Sequence, residues 1–236
     1  MNILLTIAAR GGSKGVKNKN IRTLCGTPLI EISIRQALQW GKARDIVVTT
    51  DSAEIAEVAK KAGAQVPFLR PADMASDTAA KVPALRHALL EMERKNSLQY
   101  DLVVDLDPTA PVRSVQDIEG CFKLFLEKKP KTIFSAVVSH KSPYFNMVEV
   151  NTGGFAELCK RPPASVVRRQ DAPVVYALNA SIYVYDRNYL ADVNNNSVIS
   201  DQSIVYPMAD MSAFDIDREV DFKFIEFLVK EGLVCI

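Results

Sequence analysis

Ile7-Ala8-Ala9-Arg10-Gly11-Gly12-Ser13-Lys14-Gly15-Val16-Lys17-Asn18-Lys19-Asn20-Ile21-Arg22 joins an apolar run to a glycine-rich basic loop. Five cationic side chains lie between Arg10 and Arg22, and no acid precedes Glu31. The whole chain is balanced, with 29 basic and 28 acidic residues, so this excess is local. The stretch continues an apolar run, Asn2-Ile3-Leu4-Leu5-Thr6-Ile7-Ala8, whose length suits a buried strand. A glycine-rich basic loop leaving a strand brings backbone N–H groups and ammonium ions onto a polyanion, so phosphate binding is expected over an idle solvated loop. It is not a Walker A loop, because Gly11, Gly12 and Gly15 miss the G-x-x-x-x-G-K-[ST] spacing. Nor is it G-x-G-x-x-G, because Ser13 stands where the second glycine belongs.

Outward from this loop, strands alternate with helices. Pro28 and Gly41 bracket a helix whose apolar face is Ile30, Ile34, Ala37 and Leu38. Asp45 to Thr50 reads as a second strand, and Ser52 caps a helix over Ala53 to Ala62 that Gly63 closes. Ala64 to Leu69 reads as a third, shorter strand. A helix follows Asp77, with Pro83 in its first turn and Leu85, Ala88, Leu89 and Met92 inward. Leu102-Val103-Val104 is a central strand, Ser114 to Asp117 a capping box, and Thr132 to Val138 another strand. This alternation predicts an α/β fold with a doubly wound, mostly parallel sheet as one domain over 1–236. Prolines 143, 162, 163 and 173 and the Gly153-Gly154 turn mark 141–175 as an inserted β-rich arm. Ala180 to Tyr185 returns to strand, and a terminal helix carries the stripe Val220, Phe224, Phe227 and Leu228.

A net charge of +1 argues against a nucleic-acid partner, and no apolar run approaches a membrane span. The N-terminus reads as a core strand and not as a signal peptide, which gives a cytoplasmic expectation. Cys25, Cys121, Cys159 and Cys235 are dispersed, as reduced structural cysteines are. His87 and His140 sit in no Ser/His/Asp arrangement, so no nucleophilic triad is expected.

Asp210, Asp215, Asp217, Glu219 and Asp221 complement the basic loop near the other end of the chain. Asp215 and Asp217 are two apart, so on an extended backbone both carboxylates point to one side. Mg²⁺ (or Mn²⁺) bridging two carboxylates to substrate phosphates is one reading. Capping of the terminal helix is the other, and it suits Glu219 and Asp221 best.

The pattern from Ala9 to Asn20 resembles the nucleotide-binding signature of the acylneuraminate (CMP-sialic acid synthetase) cytidylyltransferases. Four further segments resemble that family, in its order and over nearly the whole chain. They are Arg70-Pro71-Ala72-Asp73-Met74-Ala75-Ser76-Asp77-Thr78, Pro108-Thr109-Ala110-Pro111-Val112-Arg113, Arg169-Gln170 with Asn179-Ala180-Ser181-Ile182-Tyr183, and Phe214-Asp215-Ile216-Asp217.

The resemblance implies a nucleotide-diphospho-sugar transferase-like fold, a homodimer and a dimerisation role for the arm. It implies that Arg10, Gly11, Gly12, Ser13, Lys14, Lys19, Asn20 and Arg70 bind CTP. Lys19 and Arg10 would stabilise charge on the α-phosphate, and Asp217 would join them through a metal held with Asp215. Thr109, Arg169 and Asn179 would lie near a nine-carbon 2-keto sugar acid, with Arg168 or Arg169 meeting its carboxylate.

Two positions depart from the sialic acid members: Asp107 replaces a common glutamine, and Lys81 replaces a small serine. Opposite charges at two neighbouring sugar-binding positions suggest an ion pair, and legionaminic acid or a relative as substrate in place of N-acetylneuraminate. The expected activity is nucleotidyl transfer from CTP, giving the CMP-sugar and pyrophosphate. Within the family the alternative is an N-acetylneuraminate-specific CMP-sialic acid synthetase that tolerates the pair; the rivals of another class are a D-x-D glycosyltransferase and a non-catalytic nucleotide-binding module.

Overall fold

A computed structural model describes residues 1–12, 15–76, 79–161 and 168–236. In chain order the elements begin with β1 (Ile3–Ala8), a short hairpin of β2 (Thr23–Leu24) and β3 (Thr27–Pro28), and α1 (Leu29–Trp40). They continue through β4 (Asp45–Thr49), α2 (Ala53–Lys61), α3 (Lys81–Asn96), β5 (Leu102–Leu106), α4 (Val115–Lys128) and β6 (Thr132–Val138). A second hairpin, β7 (Val148–Val150) and β8 (Ala156–Leu158), lies between β6 and β9 (Tyr176–Asp186). The chain finishes with α5 (Arg187–Ala191), β10 (Ser203–Pro207) and α6 (Glu219–Lys230).

The main sheet has the order β10-β6-β9-β5-β1-β4. β1 runs parallel to β4 and β5, and β10 parallel to β6, while β9 lies antiparallel between β5 and β6. Period-two alternation sends Ile3, Leu5 and Ile7 to one face, against α1, α2 and α4. It sends Leu4, Val47 and Val103 to the other, against Val82, Leu85, Leu89 and Met92 of α3. Both faces are therefore covered, as a doubly wound sheet requires. After β1 the chain adds β4 on one side and later β5 on the other, and this reversal opens a crevice at the strands' carboxyl ends.

Local chemistry sets the boundaries. Gly41 ends α1 at φ 67, Ser52 Oγ accepts from Ile55 N–H at 3.3 Å, and the Ser114/Asp117 capping box opens α4. Ala180 stands at φ 54, beside the register shift of β6 against β9.

Three expectations are corrected. Ala64 to Leu69 is no strand: only Gln65 bridges to Val47, and Pro67 lacks the N–H a ladder needs. Leu38 is 48% exposed and is not part of α1's buried face. On α6 the inward side chains are Phe222, Ile225 and Leu228, whereas Val220, Phe224 and Phe227 face out. That helix is apolar on two sides, so periodicity alone could not choose the buried one.

Within the arm, Gly154 turns the β7–β8 hairpin at φ 83. Pro162 and Pro163 lie outside the described residues. None of the four cysteines is in a disulfide. No described helix is long and apolar enough to cross a membrane.

Candidate active site

The loop after β1 is fastened to the far end of the chain. Gly11 N–H donates to Asp51 Oδ1 at 2.9 Å, and the buried Asn20 donates to the Arg10 carbonyl at 3.0 Å. A Cβ on Gly15 would stand 1.9 Å from the Asp217 carbonyl oxygen, so only glycine lets the two backbones approach. Lys19 Nζ donates to the Ile216 carbonyl and lies 3.3 Å from Asp217 Oδ1. Arg22 grips Glu219 through two bonds, of 2.5 and 2.7 Å, with its guanidinium over the Phe222 ring. Glu219 therefore serves the loop, and Asp221 caps α6 by accepting from Arg218 N–H at 2.7 Å. Ile216 N–H donates to the Thr109 carbonyl at 2.9 Å, which ties the acidic segment to the loop after β5.

These ties enclose a cleft of about 390 Å³ at the carboxyl ends of β1 and β5. Arg10, Lys19, Asn20 and Arg70 line it, together with Lys81, Asp107 and Thr109, and so do Asp215 and Asp217. The buried Arg70 guanidinium bonds to the side chain and carbonyl of Thr49, and burial lowers its pKa against the pull of Asp51 and Asp105. Arg10 donates to the Ser76 carbonyl at 2.9 Å. Burial raises the pKa of the Asp215 carboxyl, and Asp107 and Asp217 add to this, while Thr109 and Lys19 oppose it. Its Oδ1 is buried with no hydrogen-bond partner. Among the described residues no three His, Cys, Asp or Glu side chains group to hold a metal; Asp215 and Asp217 are the acidic pair facing the basic loop.

On the adjoining wall, Lys81 Nζ lies 2.9 Å from Asp107 Oδ2 and 2.6 Å from Asp105 Oδ2. Burial works against the Lys81 charge, but the two carboxylates outweigh it and hold its pKa well above the ordinary value. Burial likewise pushes the Asp107 pKa up, while Lys81 and the Thr109 N–H and hydroxyl pull it down and prevail.

Other expected residues stand elsewhere. Gly11 and Gly12 are described but do not line the cleft, and the Gly11 N–H is already taken by Asp51. Ser13 and Lys14 lie outside the described residues, as does the Arg169 side chain. Arg168, expected at the sugar's carboxylate, instead forms a two-bond pair with Asp171 in the arm, at 2.9 and 3.0 Å. Asn179, expected near the sugar, is 2% exposed and is not among the cleft residues. Its amide is used internally, accepting from Ser135 Oγ at 2.7 Å and donating to the Ser212 carbonyl at 2.9 Å.

Two residues behind the cleft wall carry no role in the sequence reading. Asp105 repeats the two-residue spacing seen at Asp215 and Asp217, which was the signal available for it. Arg113 is buried, with its pKa lowered to about 10 by that burial. It bonds to Gln36 and to the carbonyls of Asp107, Ala110 and Ser181, and so fixes the loop that carries Asp107 and Thr109.

Known proteins match this arrangement along its length. The chain is 44% identical over 227 residues to the CMP-N,N'-diacetyllegionaminic acid synthase of Campylobacter jejuni, covering 96% of this chain and 94% of that protein. It is 44% identical to the post-translational flagellin modification protein B of Campylobacter coli, covering 97% and 95%. A CMP:2-keto-3-deoxy-manno-octonic acid synthetase complexed with CTP superposes with a TM-score of 0.70 at 17% identity, covering 98% of this chain and all of that one, which speaks to fold alone. The family model described as Cytidylyltransferase matches residues 4–234. A match of that extent, on a fold of the same kind, leaves neither rival class standing: this chain belongs to the cytidylyltransferase family and is a nucleotidyltransferase.

Proposed function

We propose that this enzyme transfers CMP from CTP to a nonulosonic acid of the legionaminic type, as a cytoplasmic homodimer using Mg²⁺ or Mn²⁺. One observation carries the reading: the Lys81–Asp107 ion pair stands in the same cleft as Lys19 and Asp217. The name of the Campylobacter jejuni relative supports the choice of sugar.

In the reaction the anomeric oxygen of the sugar acid attacks the α-phosphorus of CTP and the bond to pyrophosphate breaks. The CMP-sugar, pyrophosphate and a proton result. Such transfers depend on positioning and charge neutralisation more than on covalent catalysis. Arg10, Lys19 and Arg70 supply fixed positive charge, and the Ile216 carbonyl and Asp217 hold the Lys19 ammonium in place.

A divalent cation fits the acidic pair, since Asp215 Oδ1 is buried without a donor and hard oxygen ligands suit Mg²⁺. When bound, the ion would neutralise phosphate charge beside Lys19. The apolar side chains that the arm exposes, Phe145, Val148, Val150 and Phe155, support a second copy of the chain as its partner.

The test is pyrophosphate release from CTP with a panel of nonulosonic acids. Highest kcat/KM with N,N'-diacetyllegionaminic acid is expected. Equal or better use of N-acetylneuraminate would end the assignment.

A further inference from the structure

Asp105 is a charged side chain in the middle of the sheet. It is 0% exposed, on β5, opposite Thr6 of β1 and Tyr183 of β9. A carboxylate buried in a central strand is costly unless a partner neutralises it, so its presence calls for a reason. Its oxygens are divided between two partners. Oδ1 accepts from Thr6 Oγ1 at 2.8 Å, and Oδ2 faces Lys81 Nζ at 2.6 Å. The Lys81 ammonium also bonds to Asp107 and lies 4.8 Å from the centre of the Tyr183 ring. Asp107 Oδ2 accepts a hydrogen bond from it, whereas Asp105 Oδ2 accepts none and holds the ammonium by charge alone.

The consequence appears on the cleft wall. The Lys81 ammonium is held between two carboxylates, and the trio of one cation and two anions carries a net charge of −1. That wall repels phosphate, which the arginines and Lys19 attract. What it offers is acceptor capacity: the remaining lone pair of Asp107 Oδ2, and the Thr109 hydroxyl oxygen, whose proton goes to Asp107 Oδ1 at 2.9 Å. A neutral group that donates hydrogen bonds suits such a wall.

We infer that Asp105 is a positioning residue that locks Lys81 onto Asp107, and that the resulting acceptor wall selects a sugar acid carrying a second acylamido N–H. The inference rests on the nonulosonic acid reading above and deepens it. It assigns the selection to a residue that never touches the substrate.

The test compares the unaltered enzyme with Asp105→Asn, which keeps the acceptor for Thr6 and removes the charge facing Lys81. With N,N'-diacetyllegionaminic acid, KM should rise about tenfold, the scale of one lost hydrogen bond to a charged group, while KM for CTP holds within about twofold. The ratio of kcat/KM for the diacetylated acid over N-acetylneuraminate should fall toward one. A uniform loss, with that ratio and the KM split unmoved, would overturn the inference.

A second pair of variants separates an effect through Lys81 from a direct one. Lys81→Met and Lys81→Met/Asp105→Leu should have the same KM for the sugar acid, because Asp105 acts through Lys81. Additive losses would also overturn it. If the unaltered enzyme prefers another nonulosonic acid, the substrate reading fails. The comparison of single and double variants on that acid still decides whether Asp105 positions Lys81.

Discussion

The Lys19 ammonium lies 3.3 Å from the Asp217 carboxylate, although 198 positions separate them in the chain. The pair contributes little to folding, because the Asp217 side chain is 75% exposed and such ion pairs are well solvated. Its effect is to keep one cation pointed into the cleft.

Lys19→Ala should therefore cost activity and spare the fold. A fall in kcat of about a hundredfold or more is expected, as for other preorganised charge stabilisers. The melting temperature should move by no more than about 4 °C, the effect of roughly 1 kcal/mol in a chain of this size. Initial rates at saturating CTP and sugar acid check this. A rise in KM for CTP with kcat intact would make Lys19 a binding residue only.

Gly15→Ala tests the approach of the loop to the acidic segment. The added methyl carbon would stand 1.9 Å from the Asp217 carbonyl, a clash with backbone and not with a mobile side chain. The loop must move away, taking Lys19 from its place, so kcat/KM for CTP should fall about tenfold or more, as misplacement of about 1 Å can do. Kinetics with CTP as the varied substrate supply the measurement.

Asp215→Asn should separate stability from activity. The folded-state pKa of Asp215 is raised, first by burial and then by Asp107 and Asp217. The unfolded chain therefore gives up this proton more readily, and ionisation at neutral pH favours unfolding. The uncharged amide removes that penalty. Thermal melts at pH 7 should show a gain of a few degrees that fades as the pH falls toward about 4, the ordinary carboxyl range. Pyrophosphate release by the same variant should drop if Asp215 holds the proposed divalent cation.

Lys81→Met should be sensitive to pH in the opposite sense. In the parent, Asp107 has a lowered folded pKa, so its contribution is present above the ordinary carboxyl range and is lost on acidification through the folded value. Without Lys81, Asp105 and Asp107 are buried carboxylates lacking their cation. The variant should be less stable by about 3 kcal/mol or more at pH 7, and the gap should narrow toward pH 3 as Asp107 protonates. Urea unfolding at several pH values reads this difference; a gap independent of pH would contradict it.

Local rules carried much of the fold. Gly41, Ser52 and Ser114 end or cap helices where the sequence placed them, because capping depends on neighbours within a few residues. The alternation of strands and helices likewise gave the doubly wound sheet, since burial of both faces leaves near-continuous apolar strands. The Arg10–Arg22 loop and the Asp215/Asp217 pair are legible in the sequence as charge complements. Their joining across the chain was an expectation from topology alone.

Residue patterns alone specify the sheet, its winding, the basic loop and the charged residues from which the cleft is drawn. Which of those residues share the cleft depends on packing in three dimensions. Asn179 and Arg168 carry suitable groups but spend them on Ser135, Ser212 and Asp171, while Asp105, inside a strand, proved to be the partner of Lys81. Packing also decides which side of α6 is buried, through Phe222 beneath Arg22. The reason is the same each time: a hydrogen bond or ion pair is spent on whatever stands within about 3 Å, and three-dimensional packing determines what stands there.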